Sequence, residues 1–386
     1  MRAIFAGPEY APRTEMGLFE KLMHLSWGLV LLVCLIAGAG VLLLYSAGGG
    51  NWDPWAAKHA VRFGIGFGAM ILVALVDLRT LLRLAYPLYA LVLLLLVGVE
   101  IMGQLGKGAQ RWIDLGFFQL QPSELMKLTL VLALARYFHG LPPEQVVRPL
   151  SLIPPLVLIL LPVALVLLQP NLGTALLLLL ASAMLFWGGG VPGWVFASAI
   201  ALGIAAVPVG WEFLHDYQRQ RVLTFLNPEA DPLNTGYNIM QSKIAFGSGG
   251  LFGKGFLGGT QSQLAFLPEK HTDFIFVVLA EEFGLLGALI LLGLYALVIA
   301  SGFRIALASR SQFGRLLALG ITANLFLYVA VNIAMITGLI PVVGIPLPLV
   351  SYGGTAMLTL LIGIGLLLCV AVHQDIRLSK SGLAEW

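Results

Sequence analysis

The chain has 386 residues, of which 59% belong to the hydrophobic set and only 11% are charged. A soluble domain carries about 25% charged residues; with a mean hydropathy of +0.93, this composition specifies a polytopic, all-α membrane protein. It excludes soluble enzymes, nucleic-acid binders and disordered chains, and a net charge of +3 implies no polyanionic partner. Cys34 and Cys369 stand in apolar runs near opposite ends of the chain, so neither a disulfide framework nor a cysteine-held metal is expected. The first 20 or so residues lack the short apolar run and small-residue site of a cleavable leader. The first span is therefore expected to act as its own insertion signal.

Crossing a hydrocarbon core takes about 20 apolar helical residues, which predicts about ten spans. They fall near 22–46, 60–77, 83–103, 122–138, 151–168, 171–188, 191–211, 274–300, 314–336 and 354–372. Prolines that cannot continue a helix separate the closely spaced ones at Gln169-Pro170-Asn171 and before Pro192. Basic residues set the orientation. With the N-terminus in the cytoplasm, that side gains Arg2, Arg13, Lys21, Arg79, Arg83, Arg136, Arg148, Arg304, Arg310, Arg315, Arg377 and Lys380. Short outer loops then hold only Lys58, Arg62, Lys107 and Arg111, and both termini lie in the cytoplasm.

An ionisable group inside a span is costly and marks function by default. Along the chain the first candidates lie in Gly106-Lys-Gly-Ala-Gln-Arg111-Trp112, where Arg111 offers a fork-shaped anion binder. Next comes Gln121-Pro122-Ser123-Glu124-Leu-Met-Lys127, whose i,i+3 carboxylate and ammonium share a helix face. Either they form a structural ion pair, or Lys127 helps bind an anionic group that Glu124 orients. Residues 212–273 read as one long extracytoplasmic loop, glycine-rich from Gly247 to Gly259, with interleaved apolar residues that argue for a segment lying on or dipping into the outer leaflet. It ends in Pro268-Glu269-Lys270-His271-Thr272-Asp273, followed by Glu281 and Glu282. Asp273 at the membrane boundary is either a helix cap or a general base. Finally, Gly338 to Gly354 is apolar yet broken by prolines and glycines. Such backbone is tolerated at membrane depth only when buried or lining a cavity, so a re-entrant or surface-lying loop beside a binding cavity is predicted. Asn171, Asn324 and Asn332 add polar groups to the same interior.

Taken together, Arg111-Trp-Ile, Gln121-Pro-Ser-Glu124 with Lys127, Lys270-His-Thr-Asp273-Phe-Ile-Phe276 with Glu281-Glu282, and Pro348-Leu-Val-Ser351-Tyr-Gly-Gly354 resemble the SEDS proteins (shape, elongation, division and sporulation). The resemblance runs from about Leu25 to Ile376. Gly259-Thr-Gln-Ser-Gln263 and Leu339-Ile-Pro-Val-Val-Gly344 are closer to the elongation branch than to the division branch. It implies a peptidoglycan glycosyltransferase that polymerises lipid II on the outer face of the bacterial cytoplasmic (inner) membrane during elongation. The implied partners are a class B penicillin-binding protein, the elongation machinery and membrane lipids, with no nucleic acid. Asp273 maps onto the family's essential aspartate, and Glu124 and Lys127 onto its characteristic pair. One departure is Asn171, where the family usually carries aspartate.

On that reading Asp273 takes the proton of the acceptor sugar's 4-hydroxyl as it attacks the donor's anomeric carbon, with inversion. Arg111, Lys127, Arg219, Arg221, Lys254 and Lys270 are the cations available to the departing diphosphate. His271 and Ser351 complete the expected substrate-binding set. No metal-ligand cluster is visible, which leaves a divalent cation (Mg or Mn) accompanying the diphosphate as the sole cofactor to consider. Two rival functions are a lipid II flippase and a non-catalytic elongation scaffold. Interior charges and glycine-broken segments suit a transporter, but the candidate groups gather on one side.

Overall fold

The computed structural model describes residues 16–102, 104–106, 109–114, 116, 119–169, 171–213, 216–227, 235–260 and 270–379. After a short helix α1 (Leu18–Met23), three long helices follow: α2 (Trp27–Ala47), α3 (Ala56–Ala74) and α4 (Leu78–Met102). Strands β1 (Gln104–Gly106), β2 (Ala109–Asp114) and β3 (Gln119–Leu120) then lead into α5 (Pro122–Gly140). The short α6 (Pro143–Val146) precedes α7 (Ile153–Leu168), α8 (Leu172–Gly188) and α9 (Gly193–Phe213). Helices α10 (Asp216–Leu226) and α11 (Thr235–Ser248) lie before α12 (Ile275–Ala308), α13 (Gln312–Ile336) and α14 (Gly354–Val372).

Every predicted span falls on one of these helices, and 8 among the described residues are long and apolar enough to cross a membrane. The two that fall short do so for visible reasons. Helix α8 has only 17 residues, and α5 carries Glu124, Lys127 and Arg136 within its 19. Helices α13 and α14 form the centre, with 78% and 83% of their most apolar stretches buried, whereas α9 has 0% buried and stands at the periphery. Helix α14 packs on α3 and α13, and α5 packs on α4, α8 and α13.

Three local features add to the expected helical fold. A short antiparallel meander stands between α4 and α5, in which β2 pairs with β1 (Leu105 opposite Gln110) and β3 (Ile113 opposite Leu120). Its strand signal is short: Arg111-Trp112-Ile113 between glycines, with Gly116 at positive φ (84°) closing a turn. The long loop holds two helices, because Tyr217 to Leu226 and Tyr237 to Phe246 contain no glycine or proline to break one. The third span begins at Leu78 and the second at Ala56, so Lys58 as well as Arg62 lies in the first two turns of a helix.

The glycine-rich segment has a structural task. Helix α12 is interrupted at Gly284 (φ 64°, ψ −161°), and the groups freed there bond to the turn after α11. Lys254 and Gly255 N–H groups donate to the carbonyls of Glu281 and Glu282 at 3.0 and 2.9 Å, while Leu285 and Leu286 N–H groups donate to Gly250 and Leu251 at 3.0 and 3.1 Å. Unpaired backbone groups would be expensive in hydrocarbon. A Cβ at Gly253 would collide with the Glu282 carbonyl, so the approach requires glycine.

The segment between α13 and α14 is irregular, and it is buried at Ile345 and from Leu347 to Ser351. Side chains satisfy its backbone: the Asn332 amide donates to the Ile345 carbonyl at 2.7 Å, the Leu347 N–H donates to Ser351 Oγ at 2.8 Å, Tyr295 OH donates to the Pro348 carbonyl, and His59 Nε2 lies 3.0 Å from the Leu349 carbonyl. Helix α2 passes so close that a Cβ at Gly40 would sit 2.7 Å from the Leu349 carbonyl oxygen.

Candidate active site

Asp273 sits just before α12, whose N-cap position is Phe274, with no cap bond from that residue's own side chain. The backbone that carries Asp273 is instead clamped by three donors. Tyr352 N–H donates to the His271 carbonyl at 2.8 Å, Ser351 Oγ to the Thr272 carbonyl, and Asn332 Nδ2 to the Asp273 carbonyl at 3.0 Å. Three consecutive carbonyls thus tie the aspartate's loop to α13 and to the segment before α14. The carboxylate lies beside Gly344, where a Cβ would come within 3.4 Å of Asp273 Oδ2.

Glu124 and Lys127 form the predicted pair. Pro122 occupies the first turn of α5 and Glu124 stands in the same turn, where the helix dipole favours a carboxylate. Lys127 Nζ donates to Glu124 Oε1 at 2.7 Å, and side-chain exposures of 2% and 7% seal both groups inside the protein. Sequence reasoning missed the third member. Tyr328 OH donates to Glu124 Oε2 at 2.6 Å and accepts a hydrogen bond from Lys127 Nζ, whose ammonium also lies 4.3 Å from the Tyr328 ring centroid. Tyr328 and Asn332 are four residues apart on α13, so one helix face touches both the Glu124–Lys127 pair and the Asp273 backbone, about 6 Å apart along the axis. A cavity of about 20 Å³ borders the pair and is otherwise walled mainly by Leu128, Val298, Ile321, Leu325 and their neighbours. A ligand pocket has roughly 300 Å³ or more, so this void is a packing feature and not the substrate cleft.

The expected substrate-binding residues divide. Arg111 Nε donates to the Gln169 carbonyl at 2.9 Å. Arg219 bonds to the Trp211 and Glu212 carbonyls at 3.0 and 2.8 Å and lies 3.6 Å from the Glu212 carboxylate. Lys254 is paired with the fully buried Glu281 at 2.8 Å and also donates to Thr260 Oγ1 at 2.8 Å. The Arg221 side chain lies outside the described residues, as do Lys107, Pro268 and Glu269. Burial holds the Lys270 ammonium below the usual lysine value. His271 lies near Asp273, its ring stacked on Trp55 at 4.6 Å and 11°. Ser351 is buried, and its hydroxyl is engaged with Leu347 and Thr272, which makes it a clamp on the loop. Asn171 caps α8, accepting from Thr174 N–H at 3.3 Å, a task that asparagine fills as well as aspartate. Glu282 accepts from Ser46 Oγ and is buried, and Glu100 is exposed near the end of α4.

Comparison with known proteins finds relatives over nearly the whole chain. Residues 21–376 match the cell cycle protein family FTSW_RODA_SPOVE. The chain is 45% identical over 366 residues to the peptidoglycan glycosyltransferase MrdB of Escherichia coli K12, covering 94% of this chain and 97% of that protein. It is 36% identical to the probable peptidoglycan glycosyltransferase FtsW of Geobacter sulfurreducens, covering 90% and 95%. Among solved structures, the Thermus thermophilus rod shape determining protein RodA superposes with a TM-score of 0.70 at 34% identity, covering 91% of this chain and 98% of that one. A chain from a study of structural coordination of polymerization and crosslinking by a peptidoglycan synthase complex gives 0.79 at 37% identity, covering 91% and 98%. The chain belongs to the FtsW, RodA and SpoVE family, the SEDS proteins.

Proposed function

We infer that this multi-pass membrane protein is a peptidoglycan glycosyltransferase of cell-wall elongation, with lipid II as donor and acceptor and Asp273 as general base. The observation that carries the base assignment is a carboxylate at the mouth of the helix bundle whose backbone is pinned by Tyr352, Ser351 and Asn332. Such fixing pre-pays the orientation that a base needs. Asp273 takes the proton of the acceptor 4-hydroxyl. That oxygen bonds to the donor's anomeric carbon while the bond to the diphosphate breaks, and inversion gives a β-linkage from an α-diphosphate. Glu124, Lys127 and Tyr328 form a buried unit that fixes α5 against α13 beside the site.

The site faces the outside of the cytoplasmic membrane with both termini inside, as the distribution of lysine and arginine supports. The partner is a class B penicillin-binding protein, in keeping with the synthase complex whose chain this one resembles. Among the described residues no three His, Cys, Asp or Glu side chains converge to hold a metal ion. A protein-built metal cage is therefore assigned no step, and a Mg or Mn ion carried by the diphosphate is tested by EDTA titration of the polymerisation rate. The functional test is lipid II polymerisation by the purified protein in detergent, with its transpeptidase partner added. Glycan chains are expected without any sealed membrane. Lipid II translocation in vesicles with no polymer formed in detergent would favour the flippase instead.

A further inference from the structure

Several cations have a carboxylate close by. Lys127 is paired with Glu124, Lys254 with Glu281 and Arg219 with Glu212. Arg62 is different. Among the described residues it has neither an ion-pair partner nor a hydrogen-bond acceptor, although it lies in the second turn of the apolar helix α3. An unpaired guanidinium there is costly unless something compensates it. It is held in place nonetheless: its Cζ lies 4.7 Å from the centre of the Tyr352 ring, and a Cβ at Gly354 would be 3.4 Å from the same carbon. Tyr352 is anchored by its N–H to the His271 carbonyl at 2.8 Å, and the His271 ring stacks on Trp55 at the start of α3. A flat, oriented fork of N–H donors with no acceptor among the described residues therefore stands beside the loop of Asp273.

We propose that Arg62, seated on Tyr352, is an anion-binding residue that grips a phosphoryl group of the polyprenyl diphosphate substrate. A planar guanidinium matches phosphate oxygens bidentately, and stacking on an aromatic face fixes its plane. This rests on the glycosyltransferase reading above. The same chemistry could be supplied by the headgroup of a bulk anionic phospholipid, so the test separates the two sources.

Purified full-length protein in detergent is titrated with undecaprenyl diphosphate, with undecaprenol as the uncharged control and phosphatidylglycerol as competitor. Arg62→Gln is expected to weaken diphosphate binding by about tenfold or more, the scale of one charge-assisted contact, while undecaprenol binding stays unchanged. Arg62→Lys keeps the charge without the fork and should fall between; it carries the test alone if Arg62→Gln does not fold, and wild-type affinity in it would then overturn the proposal. Wild-type diphosphate affinity in Arg62→Gln overturns it, as does equal loss for diphosphate and alcohol. Displacement by an equimolar amount of phosphatidylglycerol overturns it in favour of a general lipid site. Polymerisation of lipid II is measured on the same samples. A wild-type protein that makes no glycan refutes the functional reading, whereas wild-type protein that polymerises alongside Arg62→Gln with an unchanged KM refutes only the role of Arg62.

Discussion

Lys127 shows how a single buried charge is tolerated: its ammonium has a carboxylate at 2.7 Å, a phenol oxygen and an aromatic face. Removing one partner of such a pair leaves the other buried and uncompensated, at about 3–5 kcal/mol. Lys127→Met should therefore lower the thermal unfolding temperature in detergent markedly, and Glu124→Gln/Lys127→Met should recover much of that loss. If the double variant remains inactive while stable, the pair serves the reaction; recovered polymerisation would make it purely structural. Lys270 offers a pH signature. Its folded pKa is lowered by burial, so its charge is lost at a pH below the ordinary lysine value of about 10.4. KM for lipid II should rise along an alkaline limb that begins below that value, and Lys270→Arg should remove the limb; an identical limb in the variant would exclude Lys270. Asp273, Glu124 and Lys127 were legible in the sequence because charge is scarce and costly in apolar runs. Tyr328 and Asn332 were harder to read because an uncharged polar residue in a span has many ordinary roles. Arg62 escaped because its contact with Tyr352 joins residues distant in sequence.

At the level of elements, α13 carries the site's alignment. Asn332 holds the carbonyls of Asp273 and Ile345, and Tyr328, one turn away, holds Glu124. Asn332→Leu should leave substrate binding intact and lower kcat by about tenfold to a hundredfold, since small displacements of a reacting group cost that much. A rise in KM with kcat preserved would contradict a positioning role. The broken helix α12 gives a second prediction. Gly253→Ala cannot fit against the Glu282 carbonyl and should detach the turn that satisfies the backbone around Gly284, visible as faster proteolysis between residues 249 and 258 and a lower unfolding temperature. Spans were readable because each is a long apolar run between breakers. The sheet at Arg111 and the docking of Gly249–Gly255 onto α12 were not, because the first is too short for a clear period and the second depends on a partner distant in sequence.

For the molecule as a whole, the disposition of groups decides between the functional classes. His271, Trp55, Arg62 and Tyr352 are joined by direct contacts at one end of the bundle, with His271 two residues along the chain from Asp273. The opposite end holds ordinary anchoring contacts, such as Lys21 to the Leu75 carbonyl and Arg136 to the Arg83 carbonyl. A flippase must present comparable sites to both faces in turn, while a polymerase needs one. The central claim is that the Asp273 carboxylate removes a proton in the transfer step. Measuring kcat for lipid II polymerisation together with lipid II affinity in Asp273→Asn tests it most directly. The expected result is a fall in kcat of about 10²–10⁴, the range for loss of a general base, with affinity within about twofold of wild type because the backbone clamp is untouched. A near-normal kcat in that variant would contradict it.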